Sequence, residues 1–321
     1  MPPLHTKMPN NRYLYSFKYD YHLAELCRLE SRQIFNAAVR DKLLISTIKV
    51  DPSISAFIKT RLQITSTAVT FTQLTAEIKK EDLRINGFNV EYLICEGDTT
   101  ERTERRKKLK DIGYCIEGYP DFKTPAITYA ICQYEGVWYF GSITTHNNDW
   151  YKHKQKPHSF SNSIGMDSAK TLVSIAAKGN KSNTLLDACC GVGTTLLEAC
   201  CAGFHIEGCD ISPGAANYSK LNLAHYNYVS TVHCLDIKDL DKSYNAAIVD
   251  LPYNLYSRSD EEVTRNIIAS TTKLTTRLVI VSIADIADTI QNSGLTIIDF
   301  CTILKKGKST FTRKVWVCER T

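Results

Sequence analysis

The stretch that most constrains this chain is Asn183–Asp210, NTLLDACCGVGTTLLEACCAGFHIEGCD. A short apolar run, Leu185 and Leu186, stops at Asp187, and Gly191 and Gly193 follow within a few residues. Thr194, Thr195, Leu196, Leu197, Glu198 and Ala199 then read as a helix, and beyond Gly203 a second apolar run stops at Asp210. Strand, glycine turn, helix, strand, acid is the opening half of a doubly wound α/β sheet, whose ligands sit at the carboxyl ends of the strands. The glycines let the backbone bend sharply and let a ligand reach the main chain. An acid about 20 residues further on is placed to accept hydrogen bonds from a ribose diol.

What the stretch lacks narrows the ligand. A dinucleotide fingerprint needs a third glycine where Leu196 stands, and no G-x-x-x-x-G-K-[ST] run occurs anywhere in the chain. That leaves a nucleoside held without a strong pyrophosphate cradle, with S-adenosylmethionine as the leading candidate. Taken alone, the glycine turn also fits a purely structural strand-to-helix connection.

A second anchor shifts the balance. Tyr244–Tyr253, YNAAIVDLPY, is a buried-strand run ending in Asp250-Leu251-Pro252-Tyr253. A carboxylate, an adjacent main-chain carbonyl, a rigidifying proline and an aromatic ring coincide at one strand end. That set suits transfer to an exocyclic amino group: two acceptors for the NH2 and a ring to stack on a base taken out of its helix. By itself it would also fit a turn after a core strand, with Asp as turn former. With the glycine motif upstream, chemistry is the better reading.

Together DACCGVGTTLLEA, GCDISPGAA and DLPY resemble motifs I, II and IV of the amino-group methyltransferases. Within them the chain is most similar to the THUMP-associated RNA methyltransferases, whose members include the tRNA guanosine-10 N2-methyltransferases. The resemblance implies a seven-stranded Rossmann-like α/β methyltransferase sheet preceded by an α+β, ferredoxin-like and THUMP-like, RNA-binding region. It places Asp187, Gly191, Gly193, Thr194, Thr195, Asp210, Ile211, Asp236 and Ile237 around S-adenosylmethionine, with Asp236 bonding the adenine amino group and Ile237 against its ring. It gives the catalytic positions to Asp250, Leu251, Pro252 and Tyr253. The family's usual motif is [DN]-P-P-[YFW]; here Leu251 replaces the first proline. The implied activity is N-methylation of an RNA base, guanine N2 in tRNA first, with position 10 the best assignment. A DNA adenine or cytosine amino-methyltransferase and a non-catalytic RNA-binding scaffold are the alternatives. Some members of this group need a small partner subunit; nothing in the sequence marks a surface for one.

Charge supports a polyanion on one side only. Of the formal net charge of +5, residues 1–160 carry all, with 23 Lys+Arg against 18 Asp+Glu, while residues 161–321 hold 16 of each. The densest run, Glu101–Asp111 (ERTERRKKLKD), reads as an exposed helix, and Arg105, Arg106, Lys107 and Lys108 are candidates for RNA contact as much as for a solvated face. Twelve cysteines occur as doublets or singly without a C-x-x-C, which fits small buried hydrophobes and no metal. No apolar run is long enough to span a membrane and the first residues lack a signal-peptide core, so a soluble cytoplasmic protein is expected.

The order of elements gives the expected domains: 1–149 an α+β region, 150–163 a linker, 164–321 the methyltransferase-like domain. After an unpatterned lead of 1–11, strands are expected at 12–19 and 42–50, a helix at 21–35, a basic strand or turn at 55–64, a helix at 72–80, a strand at 89–95 and two strands about Glu135-Gly136. The stretch Trp150–Ser163, WYKHKQKPHSFSNS, has no apolar periodicity. Related methyltransferases carry a similar W-x-x-H-x-x-K-P-x-S-[YF]-S run, matched by Trp150, His153, Lys156, Pro157, Ser159, Phe160 and Ser161. That resemblance implies that it lines the pocket entrance while Lys152, Lys154 and Lys156 meet phosphate. Ser212 and Pro213 suit a helix cap and first turn. His233 reads as a packed strand residue. Two last strands about Lys305-Lys306-Gly307-Lys308 make a terminal antiparallel hairpin.

Overall fold

The computed structural model describes residues 12–161, 163–252, 258–304 and 312–320, and in 258–260 the backbone only. Tyr253, the lead of 1–11 and the turn Lys305–Lys308 lie outside the described residues. Strands β1 (Arg12–Phe17), β2 (Leu43–Ser46), β3 (Ile58–Ala68), β4 (Phe88–Tyr92), β5 (Ile127–Tyr134) and β6 (Val137–Thr145) alternate with helices α1 (Ala24–Phe35), α2 (Phe71–Lys80) and α3 (Arg102–Gly113). Helix α4 (Met166–Ala176), β7 (Thr184–Asp187), α5 (Thr194–Ala202), β8 (His205–Asp210), α6 (Pro213–His225), β9 (Val232–Cys234) and β10 (Ala246–Asp250) follow. Helix α7 (Arg258–Leu274), β11 (Arg277–Ser282), α8 (Ala287–Asn292), β12 (Leu295–Leu304) and β13 (Thr312–Arg320) complete the chain.

Two compact units result. The first takes residues 12–18, 39–52 and 58–146 and holds a six-stranded sheet in the order β2-β1-β3-β6-β5-β4. All its pairings are antiparallel except β4 with β5. Helix α2 begins with a reciprocal capping box between Thr70 and Gln73 and buries Leu74 and Ile78 against Trp138 and Phe140. The basic stretch expected at 55–64 is in fact the 11-residue central strand β3, its apolar Leu62 and Ile58 buried.

The second unit takes 19–38, 53–57 and 147–321. Its seven strands run in the order β12-β13-β11-β10-β7-β8-β9, all parallel except β13, which is antiparallel to both neighbours. This is the Rossmann-like sheet with a reversed last strand that the sequence implied. The central strands are covered on both faces, hence their unbroken apolar runs: Ala246–Val249 and Leu278–Val281 are fully buried. Strand order reverses between β7 and β10, and a crevice at that point, outside the carboxyl ends, is where such sheets bind ligands.

One assignment is corrected. Helix α1, expected within the N-terminal α+β region, is part of the second unit. Arg32 Nε and Nη2 grip Asp299 at 2.9 and 2.8 Å, Gln33 Nε2 donates to the same carboxylate at 2.8 Å, and Gln33 Oε1 accepts from Arg277. Buried Glu30 accepts from Ser55 and Ser174. A helical period reveals an apolar face and its polar edge; it does not say which sheet will cover them. Among the described residues, no helix is long and apolar enough to cross a membrane.

Candidate functional site

Three acids end three neighbouring parallel strands: Asp187 on β7, Asp210 on β8 and Asp250 on β10. All three line one cavity of about 260 Å³, together with Cys189, Cys190, Gly191, Thr194, Thr195, Leu251 and Pro252. A second cavity of about 640 Å³ shares Cys189, Asp210 and Pro252 with the first and continues past Ile211, Leu235, Asp236, Ile237 and Lys238 to α7. Every described residue expected at the cofactor or catalytic position therefore lines one of these two spaces, except Gly193.

Gly193 acts from behind. It sits at φ +78°, and a Cβ there would lie 2.3 Å from Ser219 Oγ on α6, so only glycine lets α5 start that close to α6. Gly191, at φ +53°, has open space around its missing Cβ and lines the cavity. Its N–H donates to Asp210 Oδ2 at 2.8 Å, while Asp210 Oδ1 accepts from the Ser212 N–H at 2.9 Å. Asp210 thus ties the glycine turn to the end of β8, and each of its oxygens keeps a lone pair for a hydroxyl. Ser212 caps α6 with Pro213 at its first turn, as its residue types implied.

Asp187 is 2 % exposed, and its Oδ1 has no hydrogen-bond partner. Burial pushes its carboxyl up to about 8; Asp250 and Asp210 add to this, and hydrogen bonds from Thr195 and the Cys189 backbone oppose it. The Cys189 thiol is driven well above its ordinary range by burial and then by the same three acids. The crevice gathers three acids, one of which burial biases toward its protonated form. Buried Thr194 Oγ1 is likewise unpartnered at the first turn of α5. These orphans fit a ligand carrying a cation and hydrogen-bonding groups; an anionic pyrophosphate would meet repulsion. Among the described residues no three His, Cys, Asp or Glu side chains are grouped to hold a metal ion.

At the end of β10, the Leu251 side chain is buried in the sheet's core and its N–H donates to Val281 O at 3.1 Å. A proline here could not make that bond, so leucine extends the ladder by one step beyond Asp250. Pro252 is exposed and touches both cavities. Farther round, Asp236 accepts from the Lys238 N–H and pairs with its Nζ at 3.1 Å, and Ile237 packs behind it. His233 is a strand residue held by Glu207, which also takes Lys242 and Tyr244.

The stretch before α4 is more than a linker. Residues Asp149–Gln155 form a 3-10 helix with Trp150 and His153 buried. His153 Nδ1 lies 2.8 Å from Glu198 Oε1 on α5 and Nε2 lies 3.2 Å from the Tyr228 hydroxyl. His153 therefore does not line the entrance; Phe160, Ser163 and Ile164 do. Lys152 and Lys154 are exposed, over Tyr226 and Tyr228 and over Tyr151 respectively, whereas Lys156 is half-buried and its ammonium is pushed down by desolvation. On α3 the four basic candidates divide. Arg105 and Lys108 turn onto Tyr92 and onto Phe71 and Trp138, while Arg106 and Lys107 point to solvent. Site residues not foreseen are Ser212, Ala215 and the α7 wall, Val263 to Lys273. Ser212 and Ala215 lie inside the GCDISPGAA run, but the resemblance gives them no ligand role, and no local motif marks the α7 wall.

No protein-family model and no curated protein sequence matches this chain. Among solved structures it is similar to TrmN from Thermus thermophilus, at 11 % identity over 97 % of this chain and 100 % of that one, with a TM-score of 0.48. It is similar also to a predicted N6-adenine-specific DNA methylase from Listeria monocytogenes, at 12 % identity over 95 % and 96 %, TM-score 0.44. A third is the magnesium protoporphyrin IX methyltransferase ChlM of Synechocystis with bound SAM, at 18 % identity over 55 % and 93 %, TM-score 0.43. The fold assignment rests on strand order and direction, independently of these likenesses.

Proposed function

We propose that this chain methylates an exocyclic amino group of an RNA base, with guanine N2 in tRNA, at position 10, as the substrate atom and S-adenosylmethionine as the methyl donor. The observation that carries the reading is the convergence of Asp187, Asp210 and Asp250 on one crevice beside the glycine turn. The donor has an ammonium and a sulfonium, two positive charges for an anionic site, and a ribose diol for the spare lone pairs of Asp210. Asp187, with its orphan oxygen, would take the ammonium; the larger cavity from Ile211 to Ile237 would take the adenine, its amino group against Asp236.

S-adenosylmethionine, when bound, supplies an electrophilic methyl: the N–C bond forms as the C–S bond breaks, and a proton leaves the nitrogen. The chain's part is alignment. An aromatic amine is a weak nucleophile because its lone pair is spread into the ring. Asp250 and the Leu251 carbonyl would accept its two N–H groups, turning the lone pair toward the methyl, and positioning supplies much of the rate. No strong base is required, since the amine's acidity rises as the bond forms. Tyr253, outside the described residues, would stack on the base. The exposed Arg106, Lys107, Lys152 and Lys154 would meet phosphate, with residues before the 3-10 helix forming the auxiliary RNA-binding region.

The test is transfer of labelled methyl into tRNA lacking its modifications, followed by nucleoside analysis. A single N2-methylguanosine product supports the reading, and Asp250→Ala should lower transfer by at least about 100-fold while cofactor affinity changes little. Transfer into duplex DNA in place of tRNA, or wild-type rates from Asp250→Ala, would overturn it.

A further inference from the structure

Beside Phe160, which lines the smaller cavity, two further rings sit outside the core. The His158 ring stacks on Tyr218 of α6 with centroids 4.3 Å apart and planes 15° from parallel. Phe160 meets the same tyrosine edge-on at 6.1 Å and also lines the cavity that holds Asp250 and Pro252. Phe160 is 43 % and Tyr218 36 % exposed, an unusual position for two large rings that touch one another beside a polar crevice.

The scaffold under them is rigid. Asn222 is fully buried on α6, one turn after Tyr218 and on the same face. Its side chain accepts from the His158 N–H at 3.0 Å and donates to the His158 and Val192 carbonyls at 2.9 and 2.8 Å. One amide thus fixes the strap carrying the rings to the glycine turn itself. Upstream, buried His153 anchors the same strap to Glu198, and a turn from Ser163 N–H to Phe160 O holds its far end. Nothing in core packing calls for this; the rings are presented, not buried.

We propose that His158, Phe160 and Tyr218 form a second base-stacking platform that takes a nucleotide next to the methylated one. The proposal rests on the reading of the crevice as an RNA-base methylation site. A base drawn into the Asp250 pocket leaves its neighbours unstacked at the rim, and a planar ring pair there replaces the lost stacking without reading sequence. The exposed Lys152 and Lys154 on the same strap supply the charge that a single strand's backbone requires. The rim therefore contributes to substrate affinity and orientation, while Asp187, Asp210 and the glycine turn serve the cofactor and Asp250 the reacting amine.

Methyl-transfer kinetics on an unmodified tRNA transcript, with the full chain, test this. Tyr218→Ala should raise KM for RNA about tenfold with the calorimetric Kd for S-adenosylmethionine unchanged, and Tyr218→Trp should restore it. A transcript made abasic at one neighbour of the methylated base should show the same rise with wild type and no further rise with Tyr218→Ala. An unchanged KM in Tyr218→Ala, independent losses that multiply, or an equal loss of cofactor affinity would overturn the platform while leaving the methylation reading intact. A wild-type protein that transfers methyl to no RNA overturns both.

Discussion

Asp187→Asn separates the charge of the buried acid from its shape. In the folded chain the Asp187 carboxyl is raised from 3.8 to about 8, chiefly by burial and then by Asp250 and Asp210. An acid with a raised folded value binds its proton more tightly in the native state than in the unfolded chain. Its contribution to stability is therefore full below about pH 4 and lost progressively as pH rises toward 8. A shift of four units corresponds to at most about 5–6 kcal/mol, and relaxation around the ionised group brings the expected loss to about 2–3 kcal/mol. Asparagine mimics the protonated acid and does not titrate. Its melting temperature should match wild type below about pH 4 and exceed it by roughly 5–10 °C near pH 8. The same substitution should remove the cofactor's ammonium partner, weakening S-adenosylmethionine by about 30-fold or more. Wild-type affinity should tighten as pH rises toward 8, and that slope should vanish in the variant. Scanning calorimetry and binding titrations across this range check both. Parallel melting curves at every pH would mean that the Asp187 carboxyl titrates alike in the folded and unfolded chain, and the argument that burial makes it hold its proton would fall.

Gly193→Ala should destabilise by about 2–4 kcal/mol, because its Cβ meets Ser219 Oγ at 2.3 Å and φ is +78°; urea unfolding reads this, and Ser219→Gly in the same chain should recover part of it. Glu198→Ala leaves buried His153 without its 2.8 Å partner and should cost about 3–5 kcal/mol, whereas Glu198→Gln, which keeps an acceptor, should cost about 1. Equal losses from the two, by chemical unfolding midpoints, would show that the pair does not hold the strap.

The second unit's sheet was legible because its signals are local. The central strands β10 and β11 carry unbroken apolar runs, each crevice acid ends a parallel strand, and the Ser212-Pro213 cap announces its own helix. The glycine turn and Asp210 could be paired by spacing, and the structure joins them through the Gly191 N–H. Signals that depend on distant partners were not legible. Helix α1 is held by Asp299 and Arg277, more than 240 residues away in sequence, so its period was read but not its location. Residues Asp149–Gln155 lack a helical period because a single 3-10 segment, buried through Trp150 and His153, needs none. Arg105 and Lys108 fell in a run of charge, yet their charged ends lie over aromatic rings, which composition cannot distinguish from solvation.

The same logic explains how the crevice is assembled. Its acids come from strand ends, where register fixes them, and their mutual repulsion is held in place by a sheet buried on both faces. Its rim comes from a strap without regular structure, which would wander if left to its own backbone. Two buried polar side chains, Glu198 and Asn222, each from a helix that flanks the glycine turn, bind that strap at separate points. Glu198 lies one turn beyond Thr194 and Thr195, so the helix that forms the cofactor wall also anchors the rim. The glycine turn and the strap that carries His158 and Phe160 therefore share one rigid frame.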